Sequence, residues 1–517
     1  MPAAPSSQLN KGQIFLIGAG PGDPALISVR GQELLQQATA VVYDYPASPA
    51  LLKAASGARP YYIPGYSPEK VSTLLVQLAE GGETIVRLFQ GDPYSDEAGG
   101  LEFSLLKQAG VGCEVVPGIS SGIAAAAYAG IPVTHRDFAN SFSLTSQPSS
   151  LSAENYRALA ATGGTLVFLN VDDPAQLATL LLAAGKEPHT PVALISGAST
   201  WAQQTVSGHL SEIASLARTA AIRLPAVMVA GEVAGLRETL RWFDLAQVRP
   251  LLGHRVVVTR AREQASSVVA QLTALGADAI EFPVIKIVDP PTFVPMDRAV
   301  ARLADFDWVV FTSVNGVDCF WKRLKMAGKD ARAFAKAKIC AIGPATAAAL
   351  EERSLVPDLI PQRYVAEGIL EELKVEPGQK FLLPRADIAR EALVEGLQAK
   401  GAIVENVIAY STVAGGEEGP GSINPAELVK LLNNGEIDAV TFTSSSTVRN
   451  FARRLATATD IALPVLLEKT TVACIGPITA GTARELGLTI GLEAPEFTID
   501  GLIKSLVEHF TRATSRV

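Results

Sequence analysis

Residues 253–510 repeat themselves, and this repeat limits the possible folds more than any other feature of the chain. Val257-Val258-Thr259-Arg260-Ala261, a helical stretch and Gly276-Ala277 recur as Leu382-Leu383-Pro384-Arg385-Ala386, a helical stretch and Gly401-Ala402. Phe311-Thr312-Ser313 recurs as Phe442-Thr443-Ser444, and Ala341-Ile342-Gly343-Pro344-Ala345-Thr346-Ala347 as Cys474-Ile475-Gly476-Pro477-Ile478-Thr479-Ala480. The blocks keep their order, and each reads as the end of a strand running into a helix. Two α/β lobes follow, each with hydroxyls and helix N-termini at the carboxyl edge of its sheet. Ligands of open α/β sheets bind at that edge, so the cleft between the lobes is the expected site.

The whole chain has 517 residues, too many for one core. Short β-branched runs such as Gln13–Ile17, Thr84–Leu88, Leu166–Leu169 and Val192–Ile195 alternate with Ala/Leu-rich helical stretches, the pattern of parallel α/β sheets. Periodicity breaks after Val233–Phe243, at Gln247-Val248-Arg249-Pro250, and a new strand opens at Arg255. The expected division is a disordered tail 1–11, a domain 12–243, a linker 244–252, a domain 253–510 and a tail 511–517.

A net charge of -8 argues against general nucleic-acid binding, which draws on a basic face. No run of about 18 apolar residues is present, so no membrane span is expected. Cys113, Cys319, Cys340 and Cys474 form no CxxC pair; Cys340 and Cys474 sit in apolar strand-like runs and read as buried reduced thiols, from which a cytoplasmic protein is expected. The histidines show no HExxH or paired spacing, so no metal site is expected.

Gly343-Pro344-x-Thr346 and Gly476-Pro477-x-Thr479 read as turns that open helices, with proline in the first turn. A helix N-terminus suits a carboxylate, although a single such threonine would as readily cap its own helix. Two copies, each paired with a Phe-Thr-Ser strand end, favour a ligand. With Ala409-Tyr410-Ser411-Thr412, these ordered blocks resemble the uroporphyrinogen-III synthase family over Gly253–Phe510. The resemblance implies that the lobes exchange strands, with crossings at Val284–Ile287 and Tyr410–Val413. It implies cofactor-free closure of hydroxymethylbilane with inversion of ring D, through loss of the terminal hydroxyl and a spiro intermediate. Tyr410 matches the family's cleft tyrosine and would assist departure of the hydroxyl; the other reading of Tyr410 is a packed hinge residue. Thr346, Thr479, Ser444 and Ser445, with Thr312 and Ser313, would bind substrate carboxylates, and Arg260 and Arg385 would pair with substrate charge.

In the first half, Gly18-Ala19-Gly20-Pro21-Gly22-Asp23 is not a dinucleotide fingerprint, because the third glycine is replaced by Asp23. Val42-Tyr43-Asp44, Gly91-Asp92-Pro93, Pro117-Gly118-Ile119-Ser120-Ser121, Gly130-Ile131-Pro132-Val133-Thr134 and Pro225-Ala226-Val227-Met228 follow in order. The set resembles the S-adenosylmethionine-dependent tetrapyrrole methylases over Gly12–Phe243, most closely the uroporphyrinogen-III C-methyltransferases, which methylate C2 and C7 to give precorrin-2. By that resemblance Pro21, Gly91, Asp92, Ser120, Ser121, Pro225 and Ala226 line the S-adenosylmethionine cleft, Asp44 faces the substrate, and a homodimer forms through this domain. The chain departs from the family at Gln90, at Tyr94-Ser95-Asp96-Glu97-Ala98, at Leu169-Asn170-Val171, at Pro64-Gly65-Tyr66 and at Ser196–Ser199. These changes remove positive charge, and Gln90 places a side chain where a ligand edge should approach.

Three readings stand at this point. One is a bifunctional enzyme of sirohaem or cobalamin synthesis acting on hydroxymethylbilane and uroporphyrinogen III. Another is a synthase with a catalytically degenerate methylase-like domain used for binding or assembly. The third is a non-enzymatic two-lobed tetrapyrrole-binding protein.

Overall fold

The computed structural model describes residues 12–514 except 46, 97, 98, 261, 335, 388, 390 and 416–422. The expected tail 1–11 and Glu97 lie outside the described residues. The last helix, Ile499–Thr514, runs past the expected boundary at Phe510.

Strands of the first half build two five-stranded sheets. The first contains β1 (Gln13–Gly18), β2 (Ala40–Tyr43), β3 (Arg59–Tyr62), β4 (Thr84–Phe89) and β5 (Cys113–Val116), in the order β3-β2-β4-β1-β5. All its pairings are parallel. Central β1 and β4 are buried almost end to end, as strands covered on both faces must be. The exposed β3 carries Pro60, which an edge strand tolerates.

The second sheet contains β6 (Phe142–Thr145), β7 (Thr165–Val171), β8 (Pro191–Ser196), β9 (Gln204–His209) and β10 (Ala226–Ala230), in the order β6-β7-β10-β8-β9. The repeating pattern predicts parallel strands, but here only β6–β7 is parallel; β10 runs against both neighbours and β9 against β8. The reason is local. The chain passes from β8 to β9 through residues 197–203 with no helix, and so short a link joins only antiparallel strands.

The second half adds β11 (Arg255–Val258), β12 (Asp278–Glu281), β13 (Ile285–Val288), β14 (Trp308–Phe311), β15 (Lys338–Ala341), β16 (Lys380–Ala386), β17 (Ile403–Ala414), β18 (Ala439–Phe442), β19 (Thr471–Cys474) and β20 (Leu492–Glu493). They form the sheets β12-β11-β18-β19-β20 and β13-β17-β16-β14-β15. Each lobe therefore holds one copy of every repeated block, but not from the same repeat. The first block of repeat one (β11) lies with the later blocks of repeat two (β18, β19), and β16 lies with β14 and β15. The exchange passes through β13, whose Ile285–Val288 pairs antiparallel with Ser411–Ala414 of β17. The two expected crossings meet there.

Alternation along β11 shows how one strand serves two cores. Val257 packs with Phe282, Phe442 and Phe451 on one face, while Val256 and Val258 pack with Leu272, Leu506 and Phe510 on the other. β14 does the same in its lobe with Val309 and Phe311 against Trp308 and Val310. Pro384 is tolerated in central β16 because the ladder to β14 reaches only Leu382. Beyond that point the helix Val314–Met326 takes over: a Cβ on its Gly316 would meet the Pro384 carbonyl at 2.9 Å.

Candidate functional site

At the carboxyl edge of β14, Ser313 caps the helix Val314–Met326 by accepting the Gly316 N–H at 3.0 Å. Its hydroxyl also lies 3.0 Å from the Tyr410 hydroxyl, and either can donate. Tyr410 sits on β17 where the lobes cross and is only 7% exposed. Burial pushes its phenol above the ordinary value, against the hydrogen bonds of Ser313 and Asn315. A neutral phenol that keeps its proton is the state a hydrogen-bond donor requires.

Next to it, the chain leaves β15 through Gly343 into the helix Pro344–Glu351, with Thr346 buried in its first turn. The other lobe repeats this arrangement. Ser444 caps the helix Ser445–Leu455 in a capping box with Thr447, and its hydroxyl lies 2.8 Å from that of Ser446. Ser445 accepts from Thr482 at 2.8 Å, which locks this helix to Pro477–Glu485, the helix that carries buried Thr479. Thr312 follows β14 directly, and its backbone neighbour Phe311 accepts from the Ile342 N–H. In each lobe the structure therefore brings a Thr-Ser or Ser-Ser turn beside a Gly-Pro helix start.

The arginines fare differently. Arg385 is 2% exposed; its Nε donates to Asn406 at 3.0 Å, and it pairs with exposed Glu391 at 3.5 Å. Burial pulls it below its ordinary value. Its side chain thus reaches inward, within its own lobe. Arg260 lies half-buried just beyond Thr259, whose hydroxyl donates to the Thr441 carbonyl across to β18, and burial pulls Arg260 down too.

A pair of aromatic residues escaped the sequence reading. Gly343 and Gly476 abut the rings of Tyr364 and Phe497, where an added Cβ would come within 3.2 and 2.8 Å. The signal was present: Tyr364-Val365-Ala366-Glu367-Gly368 recurs as Phe497-Thr498-Ile499-Asp500-Gly501, and each aromatic follows its glycine at the same spacing. The repeat is longer than its strand ends.

In the first half, Pro21, Ser121, Pro225 and Ala226 line one cavity together with Gln90, Asp96, Leu169, Asn170, Gly197 and Ala198. Asn170 takes φ +51°, a conformation asparagine tolerates. Gly20 and Gly91 exchange backbone hydrogen bonds at 3.2 and 2.8 Å. Asp92 organises its own loop: Oδ1 accepts the Tyr94 and Ser95 N–H groups, and Oδ2 the Gly118 N–H. Ser120 starts the helix Ser121–Tyr128 but gives its hydroxyl to Asp96.

Asp44, which follows β2, does not line this cavity; it pairs with Arg87 while its side chain stays 38% exposed. All five Arg87 donors are used: Nε and one Nη2 proton on Glu102, the others on Asp44 Oδ1 and Oδ2 and the Leu88 carbonyl. Burial alone would lower this guanidinium, yet its bonds to Asp44 and Glu102 hold it above its ordinary value. Arg87 was absent from the expected site, although an arginine inside an apolar strand must find anionic partners.

Comparison with known proteins fits this two-part layout. A family model described as Tetrapyrrole (Corrin/Porphyrin) Methylases matches residues 13–214, and one described as Uroporphyrinogen-III synthase HemD matches residues 266–504. The porphyrin biosynthesis protein HemD of Ruminiclostridium josui is 34% identical, with 97% of this chain and 98% of that protein covered. The chain belongs to the HemD family of porphyrin biosynthesis proteins. Within that family it joins a tetrapyrrole methylase domain to a uroporphyrinogen-III synthase domain. A uroporphyrinogen-III C-methyltransferase of Bacillus subtilis is 34% identical over 67% of this chain and 73% of its own length. A uroporphyrinogen-III synthase of Synechococcus elongatus is 35% identical over 52% of this chain and 99% of its own.

In this HemD-family chain the methylase cleft is narrow in the conformation described. The cavity measures about 110 Å³, whereas pockets for drug-sized ligands span roughly 300–1,000 Å³. Asp96 occupies the approach to Gly91: its Oδ2 fills the place where a Gly91 Cβ would stand. No helix of the described residues is long and apolar enough to cross a membrane, and among them no cluster of three or more His, Cys, Asp or Glu side chains could hold a metal.

Proposed function

We propose that the C-terminal half closes hydroxymethylbilane to uroporphyrinogen III with inversion of ring D. We propose further that the N-terminal half methylates that product at C2 and C7 to precorrin-2, with S-adenosylmethionine as donor. The contact between Tyr410 and Ser313 carries the first part. A protonated phenol at the crossing of the lobes can donate to the departing hydroxyl, while paired helix starts on either side offer N–H groups to substrate carboxylates. Holding a flexible octa-acid so that it closes from the substituted carbon of ring D is largely a task of positioning, which two hinged lobes suit. Support for the second part is the family match and the grouping of Pro21, Ser121, Pro225 and Ala226 around one cavity.

In this reading residues 12–243 and 253–510 are the two domains, the protein is cytoplasmic, and the first domain mediates a homodimer. It serves the sirohaem or cobalamin branch. Incubation with hydroxymethylbilane tests the synthase: the type III isomer should dominate over the spontaneous type I product. Adding S-adenosylmethionine should then give a doubly methylated product. Gln90 and Asp96 in the cleft favour a second reading, a synthase whose methylase domain only binds or assembles; formation of the type III isomer with no methylation would establish it.

A further inference from the structure

In the narrow cleft, beside Gln90, stands the Asp96 side chain. Asp96 is 5% exposed and takes the Asp92 N–H at 3.3 Å, the Ser95 hydroxyl at 2.9 Å, and the Ser120 hydroxyl and Ser121 N–H at close range. Each of these donors is neutral. The carboxylate sits on the N-terminus of the helix Ser121–Tyr128, where the dipole and free N–H groups favour an anion. Ser120 makes no cap hydrogen bond to that helix; its hydroxyl donates to Asp96, whose Oδ2 accepts the Ser121 N–H in its place. Gly91 adopts φ +71° and leaves its Cα face bare, yet Asp96 fills the space that this opens.

We propose that Asp96 is an internal carboxylate latch on the methyl-donor cleft: it holds the anion seat that the donor's own carboxylate requires and must swing out before the donor binds. The inference rests on the methylase reading of the N-terminal half. Two carboxylates compete for one set of donors, the Ser121 and Asp92 N–H groups and the Ser120 hydroxyl, and like charges exclude double occupancy. Only the fraction of molecules with the latch out is competent, so the apparent dissociation constant is the intrinsic one divided by that fraction. Ser95, exposed on the same loop, tethers Asp96 from outside the cavity.

Calorimetric titration of the full-length chain with S-adenosylhomocysteine tests this, on wild type, Asp96→Asn and Ser95→Ala, each first shown to be folded by thermal melting. The latch predicts at least tenfold tighter binding by Asp96→Asn, and a smaller tightening by Ser95→Ala, whose exposed position makes misfolding no concern. Equal or weaker binding by both variants overturns the latch while the cleft reading stands. Absence of binding by all three folded proteins overturns the latch and the methylase reading together.

Discussion

The Arg255 guanidinium lies 4.6 Å over the Trp201 ring, and this contact joins the two halves of the molecule. Beside it the Gly253 N–H donates to the Trp201 carbonyl at 2.8 Å, and a separate pair, Lys53 with Glu281 at 3.3 Å, also links the halves. Trp201 stands in the β8–β9 turn whose Gly197 and Ala198 line the methylase cavity, and Arg255 opens the first strand of the synthase half. The connecting segment is itself fastened: Trp242 Nε1 donates to the Ala127 carbonyl at 3.0 Å, Arg237 pairs with Asp244, and Arg249 lies over the Phe243 ring. Residues 244–252 are thus a strap rather than a loose tether. A double-mutant cycle on Trp201→Ala and Arg255→Ala, read by urea unfolding, should give a coupling of about 0.5–2 kcal/mol. A coupling near zero would mean that the halves merely lie side by side.

Tyr410→Phe removes one oxygen from the lobe crossing and leaves the ring packed. Loss of a positioned proton donor should lower kcat for type III product about 10²-fold with little change in KM, measured by product chromatography. Burial holds this phenol above its ordinary 10.0, so the wild-type rate should show no basic limb from Tyr410 below about pH 10. An unchanged rate in the variant would make Tyr410 a packed hinge residue only. Ser313→Ala additionally strips the cap from Gly316 and should cost about 1 kcal/mol of stability.

What the sequence discloses here depends on how local the information is. Strands β1, β4, β7 and β8 are legible as apolar runs because both their faces are buried, and the helix starts at Gly343 and Gly476 because Gly-Pro forces them. The antiparallel order of the second sheet is not legible in strand composition; it follows from the short passage between β8 and β9. Exchange of strands between the lobes depends on β11 pairing with β18, far along the chain, which no local pattern encodes. Asp96 reads as one more acid in a loop, since its inward turn is set by Ser120 and Ser121 on a different element. The plates Tyr364 and Phe497, by contrast, were readable from their common spacing to glycine.

Arg87→Met should be among the most damaging substitutions in the first half. It leaves Glu102, buried beside the strand, and Asp44 as neighbouring carboxylates with no cation between them. Breaking a buried ion pair from one side costs about 3–5 kcal/mol, measurable as a loss of urea midpoint. Adding Glu102→Gln should recover part of that loss by removing the more buried charge. If Arg87→Met unfolds at the wild-type midpoint, the cluster is not what holds β4 to its neighbours.

The buried thiols make stability fall at high pH, and the sign follows from which state holds the proton. Burial pushes Cys340 and Cys474 from the ordinary 9.0 up to about 12. Between those values the unfolded chain has released the proton while the folded chain retains it, so unfolding is increasingly favoured as pH rises. The stability they contribute is fully present below about 9 and is lost towards 12, at up to about 1.4 kcal/mol per pH unit for each thiol. Urea unfolding at pH 7.5 and pH 10 should therefore show a steeper loss in wild type than in a Cys340→Ala/Cys474→Ala variant. Both thiols should also resist a disulfide reagent at pH 8 in the folded protein and react once it is unfolded, since the thiolate is the attacking species. Rapid labelling of either cysteine in the native state would show that its strand opens far more readily than its burial implies.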